Sequence, residues 1–206
     1  EGIVFKDITP ILYDTQLCRD IVIEFKDRYK DDKVDAVAGI ESRGFFFGMM
    51  LAQALDVPFI LIRKKGKLPY KKKSHSYELE YGSAVIEMHE DAVKKGQKVL
   101  IHDDLLATGG TAKAAAKLIE KLHANVVGFA FIIELTELKG IEKIKAKEKI
   151  CISYEVIKCE TNFAVIKAVA VKENMTIVNI IKDLGKKLDN KFQLTKSKSR
   201  VYIHPV

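Results

Sequence analysis

Val99-Leu100-Ile101-His102-Asp103-Asp104-Leu105-Leu106-Ala107-Thr108-Gly109-Gly110-Thr111 leads straight into the alanine-rich run Ala112-Lys113-Ala114-Ala115-Ala116. Its first residues are mostly apolar or β-branched and follow the turn-forming Lys95-Gly96-Gln97, which predicts a buried strand of a parallel sheet. Asp103 and Asp104 then fall at the strand's carboxyl end, the edge where open α/β sheets bind their ligands. Two glycines and two hydroxyls follow where the chain must turn with N–H groups pointing outward, which makes an anion site. Ala115, Leu118, Ile119 and Leu122 recur at helical spacing, so a helix N-terminus adds its partial positive charge at the same spot. A phosphate suits that position. Neither the P-loop spacing nor the dinucleotide fingerprint is present.

The whole chain, 206 residues with 48% apolar content, is long enough for one sizeable core with an appendage. Its formal charge of +7 invites a polyanionic partner. No helix-turn-helix, zinc-ligand or aromatic-basic pattern accompanies that charge, so nucleic acid is not expected. Cys18, Cys151 and Cys159 are odd in number and lie in no metal-ligand spacing, and read as free thiols in a reducing compartment. With no apolar run of about 18 residues and no signal-peptide pattern, the expectation is a cytoplasmic protein without a membrane anchor. The chain begins at Glu1 rather than methionine, which leaves room for an upstream segment.

Outward from the central stretch, residues 1–10 are extended and apolar and end at Pro10, as an edge strand or a cover over a cleft would. Leu17, Ile21 and Phe25 mark an amphipathic helix through Tyr29 that the charged residues 30–33 terminate. Residues 34–39 read as a strand and 45–55 as an apolar helix. Between them, Gly39-Ile40-Glu41-Ser42-Arg43-Gly44 sets an arginine at a strand end, suited to a second anion because a guanidinium grips phosphate oxygens in bidentate fashion. Residues 57–62 are a further buried strand, and the basic run 63–69 reads on composition as a solvated loop. The polar connection 70–76 is too long for an ordinary turn and is a candidate lid. Tyr77, Leu79 and Tyr81 alternate as one strand face would, and 126–134 is a nearly all-apolar strand. Strands alternating with helices predict an α/β fold, a doubly wound, mostly parallel sheet flanked by helices. Beyond residue 160, 163–171 and 200–206 suit strands, and Ile177, Ile180, Ile181, Leu184 and Leu188 an amphipathic helix.

The central stretch resembles the phosphoribosyl-pyrophosphate signature of type I phosphoribosyltransferases, in the form used by their adenine-specific branch. Further matches follow in the family's order: residues 4–10 (Val-Phe-Lys-Asp-Ile-Thr-Pro), the Glu41-Ser42-Arg43 loop, residues 63–69, residues 76–82 (Ser-Tyr-Glu-Leu-Glu-Tyr-Gly) and residues 134–140. The resemblance covers about residues 1–155. It implies a phosphoribosyltransferase domain over 1–159 with a small hood near 1–15 and a flexible lid near 64–83, followed by a 160–206 extension outside the family pattern, read first as a packing or dimer element and second as a regulatory or partner-binding one.

The activity it implies is purine salvage: adenine and 5-phosphoribosyl 1-pyrophosphate give AMP and pyrophosphate with Mg²⁺, in a homodimer. Phe5 would stack on adenine, with Val4, Lys6 and Leu105 beside it. Asp103 and Asp104 would lie near the ribose hydroxyls or, through water, the metal. Ala107, Thr108, Gly109, Gly110 and Thr111 would grip the 5-phosphate, and Ser42, Arg43, Arg63, Lys64 and Lys67 the pyrophosphate, partly across the dimer interface. By the same resemblance Arg43 and Glu80 would carry the catalytic roles, Glu80 handling the purine proton, while Tyr81 would guard the site. The family's non-proline cis peptide maps onto Glu41-Ser42.

Three departures matter. Hypoxanthine-guanine enzymes place an aspartate where this chain has Ala107; Tyr70-Lys71-Lys72-Lys73 replaces a glycine-led segment; and His102 stands where an aliphatic residue is usual, and is expected to be a core histidine with a satisfied hydrogen bond. A phosphoribosyltransferase for another purine, or a nucleotide-sensing regulator on the same fold, are the alternative readings.

Overall fold

The computed structural model describes residues 8–78, 82–144, 149–160, 163–168, 192–197 and 200–205. In chain order these form α1 (Thr9–Leu12), α2 (Thr15–Tyr29), β1 (Ala36–Ile40), α3 (Gly44–Leu55), β2 (Phe59–Lys64), β3 (Lys72–Glu78), β4 (Ser83–His89) and β5 (Lys98–Leu106). Then come α4 (Gly110–Lys121), β6 (Asn125–Leu135), a 3₁₀ turn (Thr136–Leu138), α5 (Gly140–Lys143), β7 (Lys149–Glu160), β8 (Phe163–Ala168), β9 (Phe192–Ser197) and β10 (Arg200–Pro205).

Five strands pair in parallel in the order β2-β1-β5-β6-β7. The hairpin β3-β4 joins antiparallel at the β2 edge, and β8, β10 and β9 continue the sheet antiparallel beyond β7. Alternation along each strand divides the core in two. Val37, Leu100, Ala130 and Ile132 pack with Phe25 of α2 and Phe47 and Leu51 of α3. Their neighbours Ala36, Ala38, Val99, Ile101, Phe129 and Phe131 pack on the other face with Ala115, Leu118 and Ile119 of α4. Both faces of the parallel strands are therefore covered, which is why β1 is buried along its whole length.

Local signals set the helix ends. Asp14 caps α2, its carboxylate accepting from the N–H groups of Gln16 and Leu17 at 2.9 Å, a cap of about 1 kcal/mol. At the other end Tyr29 donates its hydroxyl proton to the Phe129 carbonyl at 2.7 Å, tying α2 to β6.

The chain leaves β1 for β2 on one side and returns to β5 on the other. Loops from the carboxyl ends of β1 and β5 thus diverge and open a crevice between them, which is the ligand position of doubly wound sheets.

Three boundaries differ from the sequence expectation. β5 runs on to Leu106, so Asp103 and Asp104 lie within the strand rather than after it. β2 runs through Arg63 and Lys64, which pair with Glu87 and Ile86. Most of the connection 70–76 is strand, its backbone satisfied by the ladder from Lys72↔His89 to Glu78↔Ser83. Polar side chains disguised it, because an edge hairpin needs only one covered face. In the extension, β8 and β10 fall where strands are expected, and β9 was not anticipated. The helix expected around 177–188 lies outside the described residues.

Candidate active site

The crevice is built from two strand-to-helix loops. In the first, β1 ends at Ile40, a cis peptide joins Glu41 to Ser42, and α3 begins at Gly44. A Cβ on Gly44 would stand 2.9 Å from the Asp103 Oδ1 and the His102 carbonyl oxygen. Glycine there lets α3 start against β5, and this brings Arg43 over the acidic pair. Arg43 Nε donates to Asp104 Oδ2 at 2.6 Å, with the Asp104 side chain only 4% exposed and that of Arg43 33%. Asp103 is half-buried and its Oδ1 accepts the Asp104 N–H at 2.9 Å. Burial, then the neighbouring Asp104 charge, raise the Asp103 carboxyl well above its ordinary range.

In the second loop Gly109 adopts φ +76 and precedes the first turn of α4. Left-handed backbone is what glycine supplies without steric cost. A small cleft of about 80 Å³ lies over this turn, lined by residues 107–112 with Asp103, Leu105 and Phe131. The sequence-predicted phosphate residues Ala107, Thr108, Gly109, Gly110 and Thr111 thus share one concavity with Asp103 and Leu105. Gly140, from the 134–140 match that carried no assigned role, closes the floor: a Cβ there would collide with the Ala107 carbonyl, and one on Gly109 with the Gly140 carbonyl.

The basic segment is organised by a residue that sequence reasoning did not single out for this role. Glu41 Oε1 accepts from Arg63 Nη2 at 3.0 Å, and its Oε2 accepts from Arg63 Nε at 3.3 Å and the Lys64 N–H at 2.9 Å. Arg63 Nη1 also donates to the Lys67 carbonyl at 3.0 Å. Burial pushes the Glu41 carboxyl up, but the hydrogen bonds from Arg63 and the Lys64 N–H, with the charges of Arg63 and Lys67, hold it below its ordinary value. Arg63 is thereby a clip that folds the turn at 63–67 back on itself, while the Lys64 and Lys67 side chains are exposed, as is Ser42.

His102 sits behind the acidic pair, fully buried and edge-on to Phe25 at 5.7 Å. Its core placement agrees with expectation; its hydrogen bonding does not. Neither ring nitrogen has a well-formed partner, and burial, opposed by the Ala130 main chain, lowers its pKa to about 3. Phe25 lies edge-on to the ring, and a Cβ on Gly48 would stand 3.4 Å from its Cδ2. Val4, Phe5, Lys6, Glu80 and Tyr81 lie outside the described residues. Among the described residues no group of three or more His, Cys, Asp or Glu could hold a metal ion, and no helix is long and apolar enough to cross a membrane.

The pattern that defines the phosphoribosyl transferase domain matches residues 11–174. The chain is 55% identical over 145 residues to the adenine phosphoribosyltransferase of Flavobacterium johnsoniae, an alignment spanning 70% of this chain and 85% of that one. The crystal structure of adenine phosphoribosyltransferase from Rhodothermus marinus superposes with a TM-score of 0.71 at 49% identity, covering 73% of this chain and 86% of that one. The enzyme from Saccharomyces cerevisiae, solved with an imino-altritol bisphosphate and adenine, gives a TM-score of 0.68 at 41% identity, covering 73% and 88%.

Proposed function

The chain belongs to the phosphoribosyltransferase family, and from its adenine-using relatives and its own strand-end crevice we infer that it joins adenine to 5-phosphoribosyl 1-pyrophosphate, releasing AMP and pyrophosphate. The observation that carries the reading is that Asp103, whose neighbour Asp104 holds Arg43, lines the same cleft as the Gly109 turn. A phosphate held at that turn would leave the sugar extending past the acidic pair, toward Arg43 in the β1–α3 loop and the cations of β2.

In the reaction a bond forms between N9 of adenine and C1 of the ribose, the bond from C1 to the pyrophosphate oxygen breaks, and the N9 proton leaves. An oxocarbenium-like transition state follows from the chemistry of glycosyl transfer. The backbone N–H groups and hydroxyls of 107–111 orient the donor through its 5-phosphate. Asp104 fixes the Arg43 guanidinium, and Arg43, Lys64 and Lys67 stabilise the charge that develops on the departing pyrophosphate. Arg63, held by Glu41, positions those lysines. The sequence resemblance assigns the proton to Glu80 and the base stack to Phe5.

Mg²⁺ fits the residues present. Asp103 is the partly exposed carboxylate at the mouth, and one carboxylate with water and substrate phosphates is the donor set that this small hard cation prefers. When bound it neutralises pyrophosphate charge. A homodimer is supported by the exposed apolar side chains Phe46, Met49 and Leu61 on α3 and β2, close to the basic segment, and a cytoplasmic location by the unpaired Cys18.

The deciding experiment is pyrophosphate release from the donor and Mg²⁺ with adenine, hypoxanthine, guanine, xanthine or orotate added in turn. Release with adenine alone is expected. Release with a different base overturns the base assignment, and silence with all five in a protein that still binds the donor makes it a sensor.

A further inference from the structure

Tyr77 belongs to none of the groups assigned above, yet its hydroxyl lies 3.2 Å from Thr111 Oγ1, a member of the phosphate turn. Both side chains are half-buried. We propose that Tyr77 is a positioning residue for the 5-phosphate: it donates to Thr111 Oγ1, and so leaves the Thr111 hydroxyl proton directed at a phosphate oxygen. The inference rests on the phosphoribosyl reading of the site.

A hydroxyl has one proton and can also accept, so in a pair of hydroxyls only one donates to the other. A phenolic O–H is the more acidic donor of the two. Once Tyr77 donates, Thr111 has its own proton to give, and nothing favours that proton more than an anion at a helix N-terminus. The chain Tyr77 to Thr111 to phosphate then runs in one direction, and each bond polarises the next.

The backbone holds Tyr77 in the right place. β3 lies along α4 and is tied to its far end as well, where Lys121 Nζ donates to the Ser74 carbonyl at 3.3 Å and to His75 Nδ1 at 3.0 Å. At the near end a Cβ on Gly110 would be in ordinary contact with the Tyr77 ring at 3.9 Å and the Glu78 carbonyl at 3.8 Å. The strand that carries Tyr77 is itself held along its length by the β3-β4 ladder from Lys72↔His89 to Glu78↔Ser83.

The test measures the affinity for ribose 5-phosphate, together with KM for the donor, kcat and thermal stability, in the wild type, Tyr77→Phe, Thr111→Val and the double variant. Tyr77→Phe is expected to weaken ribose 5-phosphate and raise the donor KM about three- to tenfold, the range of one hydrogen bond, with kcat, adenine KM and pyrophosphate affinity unchanged. Thr111→Val should lose at least as much, and adding Tyr77→Phe to it should cost nothing further, because the phenol acts only through that hydroxyl. Thr111→Ser should restore binding and its sensitivity to Tyr77. Unchanged ribose 5-phosphate affinity in Tyr77→Phe, or full additivity in the double variant, overturns the proposal. A uniform fall in stability, kcat and pyrophosphate affinity also overturns it, by making Tyr77 a packing residue. Failure of the wild type to bind ribose 5-phosphate at all sinks the phosphoribosyl reading itself.

Discussion

Arg43 and Asp104 are 61 residues apart in the chain, and their side chains meet at 2.6 Å across the point where the sheet reverses its strand order. Asp104→Asn removes the charge that orients the guanidinium. Because the arginine is a third exposed, solvent screens part of the loss, and a destabilisation of about 1–2 kcal/mol is expected by urea titration. Donor KM should rise and kcat fall together. Unaltered donor kinetics would remove Asp104 from the site.

Asp103 makes activity and stability pull in opposite directions. Its carboxyl is raised, first by burial and then by Asp104, above an ordinary value of 3.8. The folded chain therefore binds this proton more tightly than the unfolded one, and the contribution of Asp103 to stability declines as pH rises from near 4 through the folded value. Asp103→Asn should raise Tm at pH 8, with a smaller effect at pH 4, while impairing the Mg²⁺-dependent reaction. A lower Tm at pH 8 would contradict this.

His102 should make the fold acid-labile. Its folded pKa is about 3 against an ordinary 6.5, so below pH 6.5 the unfolded chain takes up a proton that the folded chain refuses. Stability then falls by up to about 1.4 kcal/mol per pH unit on acidification toward pH 3. His102→Leu, apolar and of similar size, should flatten that slope between pH 6 and 4 in thermal melts. An unchanged slope would show that the histidine is protonated inside the fold.

Gly140→Ala inserts a methyl group against the Ala107 carbonyl and should displace the phosphate turn. The expected outcome is a donor KM raised at least tenfold with adenine binding intact. Donor binding equal to wild type would mean that the turn does not hold the phosphate.

Glu80→Gln tests the assignment that rests on sequence resemblance. Removing a general base costs about a hundredfold or more, so kcat should fall by that order while adenine and donor still bind. Unchanged kcat would take Glu80 out of the reaction.

Much of this protein is legible without coordinates, because its signals are local. Continuous apolar runs mark β1, β2, β5 and β6, the spacing of Leu17, Ile21 and Phe25 marks α2, and Thr108-Gly109-Gly110-Thr111 marks the anion turn by residue type alone. Strand β3 was harder to see, since its residues are polar and its strand character comes from pairing with β4.

What the amino-acid order determined by itself is therefore the set of elements and the chemistry each loop can offer: an acidic pair, a phosphate turn, an arginine loop and a basic run. What only the tertiary structure decided is which side chains work together. Arg43 with Asp104, Arg63 with Glu41, Tyr77 with Thr111, and Gly140 under Ala107 are all joined across loops distant in sequence. Helical and strand periods report which face of an element is buried, and say nothing of which strand lies next to it. That neighbour is set by the strand order β2-β1-β5-β6, and the order in turn places both loops over one crevice.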